Sequence, residues 1–121
     1  MEDEENNLTK QTCINVLDWC YENINLTIAK PKLRINNRLI INLGEYRWMT
    51  KTIHINLKAH KIFDDLIDTT IHEYIHHCQD GNRYQKLLDL YGNTKNHPME
   101  IEARGMARKF KKEYLKEYYG M

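Results

Sequence analysis

The sequence has almost no net charge: 18 lysines and arginines stand against 17 aspartates and glutamates in 121 residues, a formal +1. That balance argues against a dedicated nucleic-acid binder, which carries a large excess of one sign, and leaves room only for local basic patches. No run of about 18 apolar residues occurs, so nothing reads as a membrane-spanning helix. A basic leader is missing too, because Met1 is followed by Glu2, Asp3, Glu4 and Glu5, the opposite of a secretory start. The three cysteines, Cys13, Cys20 and Cys78, are odd in number and form no CxxC. A disulfide framework is therefore not expected, and a reducing, cytoplasmic setting is. Repeats and Pro/Gly/Ser linkers are also absent. With less than the roughly 150 residues of a typical domain, the chain reads as one domain over 8–121 behind an acidic tail, 1–7.

What is present is a change of period along the chain. Leu8, Val16, Leu17, Cys20, Tyr21 and Ile24 recur at helical spacing and predict a first helix over about 8–24. After Pro31 the apolar residues alternate: Leu33 and Ile35, then Leu39, Ile41 and Leu43, then Ile53, Ile55 and Leu57. Three short strands follow from this, about 32–36, 38–48 and 51–57, joined as an antiparallel meander with Asn36-Asn37 as a tight turn. The helical period returns with Ile67, Ile71, Ile75 and Cys78, giving a helix from about 63 to 79 that Asp80-Gly81-Asn82 ends. Tyr84, Leu87, Leu88 and Tyr91 mark a shorter helix closed by Gly92. A loop, 93–98, leads to a last helix over about 98–118. The fold class is α+β.

The chemistry is concentrated in His72-Glu73-Tyr74-Ile75-His76. Residues four apart on a helix stand one above the other, so two imidazoles can converge on one metal ion. Zinc takes neutral imidazole nitrogen and, when catalytic, keeps an open position for water. Glu73 projects beside the pair, where a carboxylate can take a proton from that water. A random HExxH is expected about once in fifty such chains, so its surroundings must decide. Here the motif lies in mid-helix with its histidines off the apolar stripe. A later helix opens with Met99-Glu100-Ile101-Glu102-Ala103. At 100° per residue, Glu100 lies about 60° from the centre of that helix's apolar stripe and Glu102 about 100° on the other side, which makes Glu100 the better inward-facing third ligand.

HExxH on a helix, followed by a helix carrying E-x-E-A, resembles the minimal gluzincin metallopeptidases, among them SprT-like and ImmA/IrrE-like proteases of phages and bacteria. Leu43-Gly44-Glu45-Tyr46 and Thr52-Ile53-His54-Ile55-Asn56-Leu57 are similar to the strands that precede the active-site helix in such domains. The resemblance implies one zinc per chain on His72, His76 and Glu100, with Glu73 as general base, acting on a peptide or protein substrate. Many gluzincins carry Asp or Asn four residues after the ligand Glu; this chain has Arg104, which can instead hold Glu100 through a salt bridge. SprT-type sites use a later histidine as third ligand, a role open to His97. A metzincin is excluded, because Gln79 and Asn82 stand where its Gly and third His are required.

Other residues are candidates of a lower order. His77 is expected at the site's rim or facing solvent, and His54 and His60 in structural roles. Cys78 falls on the apolar stripe and reads as a small buried hydrophobe. Tyr46, Tyr84 and Tyr91 can each donate a hydrogen bond to an oxyanion or simply pack. The basic run Arg104, Arg108, Lys109, Lys111, Lys112 and Lys116, interleaved with Glu113 and Glu117, reads as a solvated helix face or, as in a SprT-like DNA-associated protease, a nucleic-acid contact. Beside the peptidase stands a second expectation, a non-catalytic zinc or protein-binding module.

Overall fold

The computed structural model describes residues 8–25, 27–39, 42–92 and 96–120. The acidic tail, part of the second predicted strand (40–41) and most of the loop after Gly92 (93–95) lie outside them. Helix α1 (Lys10–Asn23) is followed by strands β1 (Lys32–Ile35), β2 (Gly44–Arg47) and β3 (Thr52–Ile55). A single 3-10 turn (Leu57–Ala59) then leads into helices α2 (Phe63–Cys78), α3 (Gly81–Tyr91) and α4 (Pro98–Tyr119). The architecture is α+β, as expected from the sequence, but the sheet is not.

The sheet is mixed, in the order β1-β3-β2. β1 runs parallel to β3, with Lys32 beside Thr52 and Ile35 beside Ile55, and β2 runs antiparallel to β3. The predicted antiparallel meander is therefore wrong in its first pairing. The alternation of apolar residues gives strands but says nothing of direction. The asparagines read as a hairpin turn serve another purpose. A turn does form there, closed by Leu39 N–H on Asn36 O at 3.4 Å. Asn37 Oδ1, however, accepts from the backbone N–H of Leu57 at 2.9 Å, and Asn56 Nδ2 donates to Leu39 O at 2.9 Å. These bonds hold the chain after β1 against the far end of β3 instead of folding it back along β1.

The helices are set by their ends. Thr9 caps α1 by accepting from Thr12 N–H, and Asp64 and Asp65 sit in the first turn of α2, where carboxylates suit the helix dipole. Asp80, read as the end of α2, is the cap of α3: its Oδ1 accepts from Asn82 N–H at 2.9 Å, so α3 starts three residues earlier than its apolar stripe indicates. Pro98 opens α4 and Gly120, with φ of 72°, closes it.

One core holds the domain together. Ile53 and Ile55 of β3, Phe63, Leu66, Ile67, Ile71 and Ile75 of α2, and Val16 and Leu17 of α1 are buried with Ala103 and Ala107 of α4. The two alanines let α4 approach α2 closely. That approach brings the start of α4 beside the middle of α2.

Candidate metal centre

α2 presents His72 and His76 one turn apart, and the first turn of α4 presents Glu100. Glu100 Oε1 lies 3.0 Å from His72 Nε2 and 2.9 Å from His76 Nε2, and the three atoms fall within 4.8 Å of one another. With protons on Nε2 both imidazoles donate to the same oxygen. Without them, two imidazole nitrogens and a carboxylate oxygen lie close enough to share one ion, a donor set that suits zinc, whose tetrahedral ligands at about 2.0–2.1 Å stand about 3.3 Å apart. The HExxH spacing selected His72 and His76 and the helical-angle argument selected Glu100, and the fold brings the three together.

Two of the three side chains, His76 and Glu100, are held from behind. Gln79, just past the end of α2, donates through Nε2 to Met99 O at 2.9 Å and to Glu102 Oε1 at 2.8 Å. Its amide is thereby oriented with Oε1 toward His76 Nδ1, 2.7 Å away. His76 must donate there from Nδ1–H, which leaves Nε2 as the nitrogen offered to a metal. Tyr84 of α3 donates from its hydroxyl to Glu100 Oε2 at 3.0 Å, leaving Oε1 to the histidines. Burial opposes ionisation of Glu100, but the hydrogen bonds of His72 and His76, the charge on His76 and the bond from Tyr84 outweigh it and hold the carboxyl well below its ordinary range. For His76 burial again disfavours the charge. The hydrogen bond to Glu100, the negative charges of Glu73 and Glu100, and the bond to Gln79 reverse that, so its pKa is raised.

Glu73 is buried, at 6% exposure. Burial pushes its carboxyl up to about 7; His72 and His76 pull the other way, and Glu100 and Glu45 add to the rise. A carboxylate that titrates near neutrality both accepts and returns a proton readily. Trp48, immediately after β2, walls the site, its ring 6.2 Å from His76 and 5.3 Å from Tyr84. Gly81 packs closely beneath it: a Cβ there would stand 3.1 Å from Trp48 Cε3.

The remaining candidates are placed elsewhere. His97 is fully buried with both nitrogens engaged: Nδ1 accepts from Met99 N–H at 3.1 Å, capping α4, and Nε2 donates to Tyr84 O at 3.1 Å. Its ring stacks on Tyr84 at 4.1 Å, so it positions the residue that holds Glu100. Glu102 is exposed and reaches Gln79. Arg104 is exposed, and among the described residues His72, His76 and Tyr84 contact the Glu100 carboxylate.

Tyr46 does not reach the cluster. Its hydroxyl, whose pKa burial and then Cys78 push up to about 12, donates to His77 Nδ1 at 2.8 Å. His77, expected at the rim or in solvent, is buried at 6% exposure and donates from Nε2 to Ala29 O at 2.7 Å. A residue adjacent to a ligand on α2 points about 100° away from it, here into the gap between β2 and the segment before β1. His60 is buried between Asn56 O and Thr69 Oγ1, the structural role expected of it. Cys78 is half-buried against the core, and all three cysteines are free. Arg104, Arg108, Lys109 and Lys112 lie on the exposed face of α4.

Gln79, Tyr84 as the partner of Glu100, and Trp48 are the site residues that spacing did not single out. Compared with protein-family models, curated proteins and solved structures, the chain matches none. Among the described residues no helix is long and apolar enough to cross a membrane.

Proposed function

We propose that the protein is a zinc-dependent peptidase, a reading carried by the convergence of His72 Nε2, His76 Nε2 and Glu100 Oε1 beside the buried carboxylate of Glu73. His72, His76 and Glu100 hold the ion. Zinc, when bound, supplies Lewis acidity toward the scissile carbonyl and toward water. Glu73 takes the proton of the attacking water on its carboxylate and hands it to the departing amine. Gln79 fixes the ring of His76, and Tyr84 and His97 fix the carboxylate of Glu100. Trp48 shields the histidine side from bulk water. An extended peptide pairs with β2, an edge strand of the sheet that lies next to α2, by strand addition.

Zinc content and peptide hydrolysis, measured on the same preparations, test the reading. The wild type is expected to hold about one zinc per chain, lost in His72→Ala and in Glu100→Ala but retained in His97→Ala, because two remaining ligands hold zinc poorly. Glu73→Gln is expected to keep its zinc and lose activity by about 10²–10⁴-fold, the usual worth of general acid–base catalysis. Undiminished cleavage by Glu73→Gln would remove the mechanism. Stoichiometric zinc in the wild type without cleavage of any peptide in a broad library would leave a zinc-binding module in its place.

A further inference from the structure

A second group of functional side chains sits on the opposite face of the sheet. Ile53 and Ile55 point into the core with Leu33 and Ile35 against them, so by alternation Thr52, His54, Lys32 and Arg34 point the other way. The register places Arg34 on one side of His54 and Glu45 on the other, with Arg47 beside Thr52. The turn after β1 adds Asn36, Asn37 and Arg38. Arg34, Asn36, Asn37, Arg38, Arg47 and His54 line a cavity of about 560 Å³.

We propose that this cavity binds a small soluble phosphate monoester, with the guanidiniums of Arg34, Arg38 and Arg47 on the phosphate and His54 as a neutral hydrogen-bond donor beneath it. The proposal is independent of the metal centre. Among the described residues the lining supplies three arginines, and the carboxylate of Glu45 engages one of them, Arg47, through Nε at 2.5 Å. The excess of two positive charges matches a phosphate monoester, with its charge of about −1.5 to −2 near neutrality, better than a single carboxylate. Guanidinium forks fit phosphate oxygens in pairs. The volume lies in the range of sites for small molecules, about 300–1,000 Å³.

The orientation of His54 follows from its neighbours. Asn36 Oδ1 accepts from Arg38 N–H at 3.2 Å, which turns the amide so that Nδ2 faces His54 Nδ1 at 3.2 Å. Nδ1 is thus the acceptor, and the neutral ring carries its proton on Nε2. Burial, then the charges of Arg47 and Arg34, hold its pKa below the ordinary value against the opposing pull of Glu45. His54 is only 5% exposed, so its donor is fixed before any ligand arrives.

Titration with 5′-AMP, followed by amide NMR shifts, tests the proposal. Shifts are expected at residues 34–38, 47 and 54, weaker ones with inorganic phosphate, and none there with adenosine. Arg34→Gln/Arg38→Gln removes two exposed side chains and is expected to weaken 5′-AMP binding by about tenfold or more, since a charge-assisted hydrogen bond is worth about 1.5–3 kcal/mol. Arg108→Gln/Lys112→Gln, which removes the same charge from α4, is expected to change nothing. Arg34→Lys keeps the charge but not the fork, and is expected to bind more weakly than wild type. Absence of shifts with 5′-AMP, equal weakening by the α4 pair, or retained affinity in the Arg34/Arg38 pair would overturn it. So would co-sedimentation with phosphatidic acid vesicles without any response to 5′-AMP, which would assign the pocket to a lipid headgroup.

Discussion

At the residue scale, Gln79 does for His76 what a carboxylate or carbonyl does for many metal-bound imidazoles: it fixes which nitrogen carries the proton. Its amide can play only one way round, because Met99 O and Glu102 Oε1 both accept from Nε2. Gln79→Leu is expected to keep the fold and lower zinc affinity by about 10–100-fold, the usual cost of removing such a partner; competition against a chelator of known affinity measures it. Unchanged affinity would mean that the ring is held by packing against Trp48 and Tyr84 alone. The three candidate ligand positions were legible in the sequence because each depends on a period within one helix. Gln79 and Tyr84 were not, since their roles exist only once α3 and α4 have docked beside α2. His97 drew notice as a possible third ligand, but the fold turns its Nδ1 to the backbone N–H of Met99, where it caps α4.

At the scale of elements, the seating of β2 against α2 depends on a residue with no side chain. A Cβ on Gly44 would stand 2.8 Å from Thr69 Cγ2 and 3.2 Å from His54 O. Thr69 cannot turn its methyl away cheaply, because its hydroxyl is bonded to His60 Nε2 at 2.8 Å. Gly44→Ala is therefore expected to destabilise the fold by about 1–3 kcal/mol, the usual cost of overpacking, as read from chemical unfolding. A second pin is Tyr46–His77–Ala29, which ties β2, α2 and the segment before β1. Burial, with help from Lys51 and against the bond to Ala29, lowers the pKa of His77 below 6.5. The unfolded chain then takes up this proton more readily than the folded one. The contribution of His77 is full above about 6.5 and is lost as pH falls from there through the lowered folded value. Unfolding measured across that range should show a shallower acid loss in His77→Gln than in wild type; identical slopes would assign the loss to other groups. Neither pin was legible from composition or period, and the parallel pairing of β1 with β3 was hidden for the same reason: asparagine side chains, not apolar alternation, decide where the chain after β1 runs.

For the whole molecule, the candidate metal centre couples helices that are distant in the chain. α2 and α4 meet through small residues, Ala103 and Ala107, while Glu100 reaches across to both histidines of α2. Gln79 and Tyr84 connect the end of α2 and the start of α3 to the same point. A metal held there closes a loop of chain that contains all of α3, and it can do so only in the folded state, since the three ligands are separated in the unfolded chain. Anything that binds the native state alone stabilises it by mass action, about 2.7 kcal/mol at a free concentration one hundred times Kd. For a domain of this size that is an increase in midpoint of about 8–16 °C. Thermal unfolding with added zinc, against the same protein treated with a chelator, is expected to show a shift of this order in wild type and in Glu73→Gln. It is expected to disappear in His72→Ala and in Glu100→Ala. The Glu73→Gln arm separates the two functions of the motif, because that residue is proposed to move protons and not to hold the ion. A zinc-dependent shift that survives the loss of Glu100 would show that α4 is not part of the metal site, and the link between the two helices would then rest on their packing alone.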